Sequence, residues 1–339
     1  MGSLFREEME ILGDIPESKI KLIVLILSFN QDKYLENAVE SVLSQDYQGA
    51  YKVVIHDDSS IDYSGEIIRK LVRKHPNRVI GIMQNRNKFS VGVNILEEVH
   101  RLIPSEYVAR LDADDFWLSR DKLSKQVLFL DENKDVSLSA HSIMILNEVK
   151  NETSIDAMRK NGFQSPGKFS LCNFVSTASV MYRVDLAKPL PNSFTKQYIQ
   201  DWPLWSILAN RGRVYFHRDL LSVYRIHGNN GFARKANSFF VADTLAINLM
   251  IANFLDASVL SPWRVTYALR RISSILDRFF AHKVSTVLNL LFNSLAGIKR
   301  ETIRIEINHV KNLISIKKKN SNADFLVDKR AKNWISGDE

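Results

Sequence analysis

A single cysteine, Cys172, occurs among 339 residues, so no intramolecular disulfide can form and a reducing compartment is the simplest home. Its neighbours Leu171, Asn173 and Phe174 supply no histidine or cation, which makes the thiol a small packed residue rather than a nucleophile. Long apolar runs are missing too. Nothing approaches the roughly 20 consecutive apolar residues that cross a bilayer. Arg6, Glu7, Glu8, Glu10 and Asp14 stand where a secretory signal keeps its apolar stretch. These absences lead to the expectation of a cytoplasmic protein, soluble or peripheral. Residues 1–233 also lack a charge excess. The net +8 arises from 17 Lys/Arg against 9 Asp/Glu in residues 234–339, which suggests an electrically balanced domain followed by a basic region with an anionic partner.

Periodicity organises the first part. Lys21–Ser28 is a short, continuous, β-branched apolar run of the kind buried on both faces of a parallel sheet. After the break at Phe29-Asn30-Gln31-Asp32, Tyr34, Ala38, Val42 and Leu43 recur at helical spacing up to Gln45. Tyr51–Ile55 predicts a second strand, ended by His56-Asp57-Asp58-Ser59-Ser60, and residues 63–75 a helix stopped by Pro76. Arg78–Met83, Val93–Leu102 and Tyr107–Leu111 continue as strand, helix and strand. This alternation predicts an α/β fold, a mostly parallel sheet flanked by helices, with ligands at the carboxyl ends of the strands.

Both acidic clusters fall at those ends. Asp57 and Asp58 follow the second strand, and Asp112, Asp114 and Asp115 the fourth. Three carboxylates within four positions repel one another unless a cation or donor groups neutralise them. A hard divalent ion bridging substrate phosphates meets that need; turn-forming and helix-capping roles are the bland alternative.

These residues resemble the family 2 glycosyltransferases of the GT-A fold, in particular those of bacterial polysaccharide assembly. Leu25-Ile-Leu-Ser-Phe-Asn-Gln-Asp-Lys-Tyr-Leu35 is similar to the family's first strand and loop, and Ala38–Gln45 to the helix that follows. Val53-Val-Ile-His-Asp-Asp-Ser-Ser60 resembles the nucleotide-binding segment, Leu111-Asp-Ala-Asp-Asp-Phe-Trp117 the metal motif and Lys122-Leu-Ser-Lys-Gln126 the next helix start. Thr177–Arg183, Gln200-Asp-Trp-Pro-Leu-Trp205 and Val223-Tyr-Arg-Ile-His-Gly228 come in the family's order. The resemblance covers about residues 20–230.

It implies an inverting, metal-dependent transfer of sugar from a nucleotide-sugar donor, a UDP-sugar by preference, to a hydroxyl of a glycan or lipid-linked acceptor. Asn30, Asp57, Asp58, Asp112, Asp114 and Arg225 are expected at the donor, Asp58 toward the base and Arg225 toward phosphate. Asp114, Asp115 and His227 are expected to hold Mn2+ or Mg2+. Asp201 matches the catalytic carboxylate, though an Asp ahead of Leu204, Ile207 and Leu208 reads equally as a helix N-cap. Trp202 and Trp205 are candidates to stack on a sugar, with one of the two expected in the core. Many relatives have an Asn-x-Gly segment and an Arg-Asn pair after the third strand, where this chain has Asn85-Arg-Asn-Lys-Phe89. Arg86 and Lys88 there are either phosphate contacts or solvated loop charges.

The expected organisation is an N-terminal extension (1–19), a GT-A domain (20–233), a basic helical region (234–316) and a polar tail (317–339). Arg270, Arg271, Lys299, Arg300 and Arg304 punctuate apolar helical spacing, a pattern suited to anionic lipid or to packing on the catalytic domain. Nucleic acid is not expected, because no aromatics interleave with these charges. A nucleotidyltransferase would want a Gly-rich loop after the first strand, where Ser28-Phe-Asn-Gln31 stands. A non-catalytic nucleotide-sugar or glycan-binding scaffold would need no base at Asp201.

Overall fold

The computed structural model describes residues 9–228, apart from 90–92, 157–160, 167–168, 170–172, 192–193 and 195–199. Cys172, the basic helical region 234–316 and the tail 317–339 lie outside the described residues. In chain order the elements are β1 (Met9–Leu12), β2 (Ile20–Ser28), α1 (Asp32–Leu43), β3 (Tyr51–Asp57), α2 (Ser64–Lys74), β4 (Val79–Gln84), α3 (Ile95–Leu102), β5 (Ser105–Asp112) and β6 (Phe116–Trp117). They continue with α4 (Lys122–Glu132), β7 (Val136–Asn147), β8 (Glu152–Asp156), β9 (Gly162–Gln164), β10 (Met181–Arg183), α5 (Val184–Ala187), α6 (Asp201–Arg211) and β11 (Arg213–Ile226).

One mixed sheet runs β1-β4-β3-β2-β5-β10-β7-β11-β6. Its centre, β4-β3-β2-β5, is parallel, as the alternating pattern predicts. Short β10 lies antiparallel to both β5 and β7, and β7 and β11 pair in parallel beyond it. Two expectations shift. Met9–Leu12, assigned to the N-terminal extension, pairs antiparallel with β4, because an open sheet edge offers unpaired amides and carbonyls. Asp57 and Asp112 are the last residues of their strands rather than loop residues, since pairing to β2 continues to Ser28↔Asp57 and Leu27↔Asp112.

The β2 run is continuous because both its faces are covered. Ile23 and Leu25 join a core with α3 and α6; Leu22, Val24 and Ile26 join a second core with α1, α2 and α4. Amphipathic α1 turns Leu35, Ala38, Val39 and Val42 inward, the spacing of one helical face. At Gly81 on β4 an added Cβ would lie 2.6 Å from Ile68 Cγ2 on α2. Gly81→Ala is therefore expected to lower unfolding stability by about 1–3 kcal/mol through overpacking, read as an earlier urea midpoint at unchanged slope.

Candidate functional site

The carboxyl ends of β3, β2 and β5 lie side by side. At the first, the Asp57 carboxylate accepts from the Ser60 amide (2.9 Å) and hydroxyl (2.6 Å). Ser60 Oγ accepts in turn from the Asn30 amide, and Asn30 Oδ1 from the Ile61 amide. Asn30 adopts φ +55°, a left-handed conformation that Asn tolerates better than most residues. These contacts pin two loops together. Asp58 accepts from the backbone amides of Lys88 (2.7 Å) and Phe89 (3.1 Å). Burial raises its pKa against the pull of these amides, and each oxygen keeps a lone pair for a further donor.

Lys88 is not a solvated charge. Its ammonium meets Glu98 at 2.8 Å with both side chains buried, and Glu98 also accepts from Gln84, which reaches His56. This buried chain fixes the loop whose amides hold Asp58. Phe29, 49% exposed beside these loops, is a ring the motif reading passed over.

On the β5 side, Asp114 Oδ2 lies 3.1 Å from His227 Nε2, and the imidazole packs against Tyr34 at 4.6 Å between centroids. Asp115 is buried. Its Oδ1 accepts from the Arg225 amide at 2.8 Å, while Oδ2 has no partner. Burial, then Asp114 and Asp112, push its pKa well up. Arg225, expected at phosphate, is engaged as a strut: Nε donates to the Asp114 carbonyl (2.8 Å) and Nη1 to Glu148 (2.5 Å), and the guanidinium lies over Tyr34. Among the described residues no three His, Cys, Asp or Glu side chains converge as a ready-made metal cage. Asp114 with His227 still fits a hard cation that takes its remaining ligands from substrate phosphate, and the unsatisfied Asp115 oxygen belongs to the same turn.

The same sheet end opens into a cavity of about 530 Å3 lined by Arg110, Asp112, Asn173, Asp201 and Tyr224 among apolar walls that include Phe89, Ile143 and Phe174. Asp112 is pushed up to about 7, first by burial, then by Asp114 and Asp201, with Arg110 opposing. Asp201 is the first residue of α6 and not its N-cap, a position held by Gln200. Its oxygens accept from the Trp202 amide (2.7 Å) and Asn173 Nδ2 (2.8 Å). Burial raises its pKa, and the Asn173 bond is the largest opposing influence. Neither tryptophan offers a face to a sugar. Both are buried in the core, Trp202 donating to the Phe169 carbonyl at 2.6 Å, because α6 packs this side against the sheet.

Residues 23–190 match the model for Glycosyl transferase family 2. The chain carries a family 2 glycosyltransferase domain. An uncharacterized protein of Mycobacterium tuberculosis is 26% identical over 220 residues, 61% of this chain and 59% of that protein; the chain thus spans less than two thirds of that relative's length. The UDP-Glc:alpha-D-GlcNAc-diphosphoundecaprenol beta-1,3-glucosyltransferase WfaP of Escherichia coli is 26% identical over 221 residues, 62% of this chain and 80% of that enzyme. Among solved structures, S. aureus TarS in complex with UDP-GlcNAc superposes with a TM-score of 0.54 at 17% identity, covering 83% of this chain and 77% of that one. That likeness establishes the GT-A fold. The family match stops short of Asp201, Arg225 and His227.

Arg110, Asn173, Glu148 and Tyr34 complete the site and were not singled out by motif. Arg110 had a signal, a charge inside the otherwise apolar strand Tyr107–Leu111, two residues before Asp112. Glu148 and Asn173 had none, since only the fold brings them to Arg225 and Asp201. Asn173→Ala removes the neighbour that lowers the Asp201 pKa, so that pKa is expected to rise further. Carboxyl 13C NMR titration reads the direction of the change, and a fall or no change would show that Asn173 does not favour the ionised carboxylate.

Proposed function

We propose that the protein is an inverting glycosyltransferase that moves a sugar from a nucleoside-diphosphate sugar, a UDP-sugar in preference, to a hydroxyl of a glycan or lipid-linked oligosaccharide. The observation that carries this reading is the cavity shared by Asp112 and Asp201, beside the Asp57/Asp58 pocket on one hand and the Asp114–His227 pair on the other. A donor would lie with its base toward Asp58, its ribose toward Asp112 and its sugar over the cavity floor. WfaP's name supports a UDP-sugar and a diphosphate-linked lipid acceptor, and the TarS complex a UDP-sugar. Surface polysaccharide assembly at the inner face of the membrane is the corresponding setting. No helix among the described residues is long and apolar enough to cross a membrane.

Asp114 and His227 would hold Mn2+ or Mg2+, with Asp115 as a further oxygen on the same turn. When bound, the ion supplies Lewis-acid neutralisation of the departing diphosphate. Asp201 takes the proton of the acceptor hydroxyl, whose oxygen attacks the anomeric carbon as the nucleoside diphosphate leaves from the opposite face. Burial raises the pKa of Asp201, making it a stronger proton acceptor than an exposed carboxylate, and Asn173 holds one of its oxygens in place.

Asp201→Asn is expected to lower transfer by about 10²- to 10⁴-fold, the range of general base catalysis. Thermal stabilisation by UDP with Mn2+ should persist, because the nucleotide contacts are untouched. EDTA should remove both stabilisation and transfer in the wild type. Turnover near the wild-type rate in this variant would exclude Asp201 as the base.

A further inference from the structure

Arg110 is the least explained charge in the domain. It lies on β5 two residues before Asp112, so both side chains project to the same face of the sheet, the face that carries α6 and Asp201. The residue is 4% exposed. Its backbone amide donates to the Val180 carbonyl at 3.0 Å, while the guanidinium borders the Tyr182 hydroxyl and lines the cavity. Arg110 Nε is buried with no hydrogen-bond partner. No carboxylate among the described residues comes within the 4.0 Å of an ion pair with it.

An arginine stays charged when buried, and a buried charge is normally paired or coordinated. Across this cavity the compensating charges are Asp112 and Asp201, which Arg110 influences at longer range from both sides. On the reading above, Asp112 meets the nucleotide half of the donor and Asp201 faces the carbon that is attacked. Arg110, which lines the same cavity as both, therefore faces the transferred sugar. A guanidinium presents several N–H donors in a fixed plane, suited to the oxygens of neighbouring sugar hydroxyls.

We propose that Arg110 is the cavity-floor residue that binds the transferred sugar, donating to its hydroxyls and so selecting and orienting the glycosyl half of the donor. This rests on the glycosyltransferase reading. The test measures binding of UDP, UDP-glucose and UDP-N-acetylglucosamine, each with Mn2+, to the wild type, Arg110→Lys and Arg110→Gln, with circular dichroism to verify folding. A sugar contact predicts that UDP affinity in both variants stays within about twofold of the wild type. The added affinity conferred by the glycosyl group should fall about tenfold or more in Arg110→Gln, the size expected for losing one hydrogen bond to a charged group. Arg110→Lys, which keeps the charge but not the planar fork, should lose part of it and carries the test if Arg110→Gln does not fold. Equal loss of UDP and UDP-sugar affinity would make Arg110 a diphosphate or structural residue, and unchanged affinity for every probe would remove it from the site. Either result overturns this proposal alone. A wild type that binds none of the three probes overturns the donor reading as well.

Discussion

The site depends on the parallel pairing of β2 with β3 on one side and β5 on the other. Adjacent strands lie about 4.8 Å apart, so the register Ser28↔Asp57 and Leu27↔Asp112 brings two acidic clusters, remote in sequence, to within about 10 Å along one edge. That pairing is stable only because both faces of β2 are covered, one by α1, α2 and α4 and the other by α3 and α6. A carboxylate has no place in the middle of such a strand. The strand ends, where parallel pairing stops and helices begin, are where charge can gather next to an apolar scaffold.

Gathering it has an electrostatic consequence. Asp112, Asp115 and Asp201 all carry raised pKa values, in each case chiefly through burial. Two arginines offset part of this in different ways. Arg225 is fully engaged, bonding the Asp114 carbonyl and Glu148 while its amide serves Asp115. Arg110 acts at longer range with its Nε unsatisfied. The acidic groups thus outnumber the arginines along this edge, and Arg110 is offset by Asp112 and Asp201 across the cavity rather than by a direct ion pair.

The central sheet, its helices and the order of the acidic motifs were legible in the sequence because each rests on local chemistry: an apolar run, a helical period, a break. What escaped was set by tertiary contacts. Nothing local predicts that Met9–Leu12 will find the open edge of β4, or that Lys88 will be buried against Glu98 rather than solvated. Trp202 and Trp205 are both core because α6 packs that side on the sheet, a fact that spacing around Asp201 does not contain. Arg225 was read toward phosphate from its place in a motif, and its further bond to Glu148, at the turn just after β7, follows from the parallel pairing of β11 with β7.

The supports of the two halves of the site differ in kind. Asp58, Asp114 and His227 are held by groups that are themselves fixed: Lys88 amide geometry by the Lys88–Glu98 pair, and His227 by the Tyr34 ring, whose hydroxyl donates to Glu148 at 2.8 Å. Chains of this sort restrict rotamers before any ligand arrives, which reduces the ordering cost of binding. Asp201 has its own helix terminus and the exposed Asn173 to hold it. The half that carries Asp58, Asp114 and His227 is thus preorganised by buried networks, while the carboxylate at the cavity is oriented by one side chain from a surface segment. On the function proposed above, with Asp201 as the base, its orientation therefore rests on Asn173, a side chain outside the sheet that can be replaced without disturbing the paired strands.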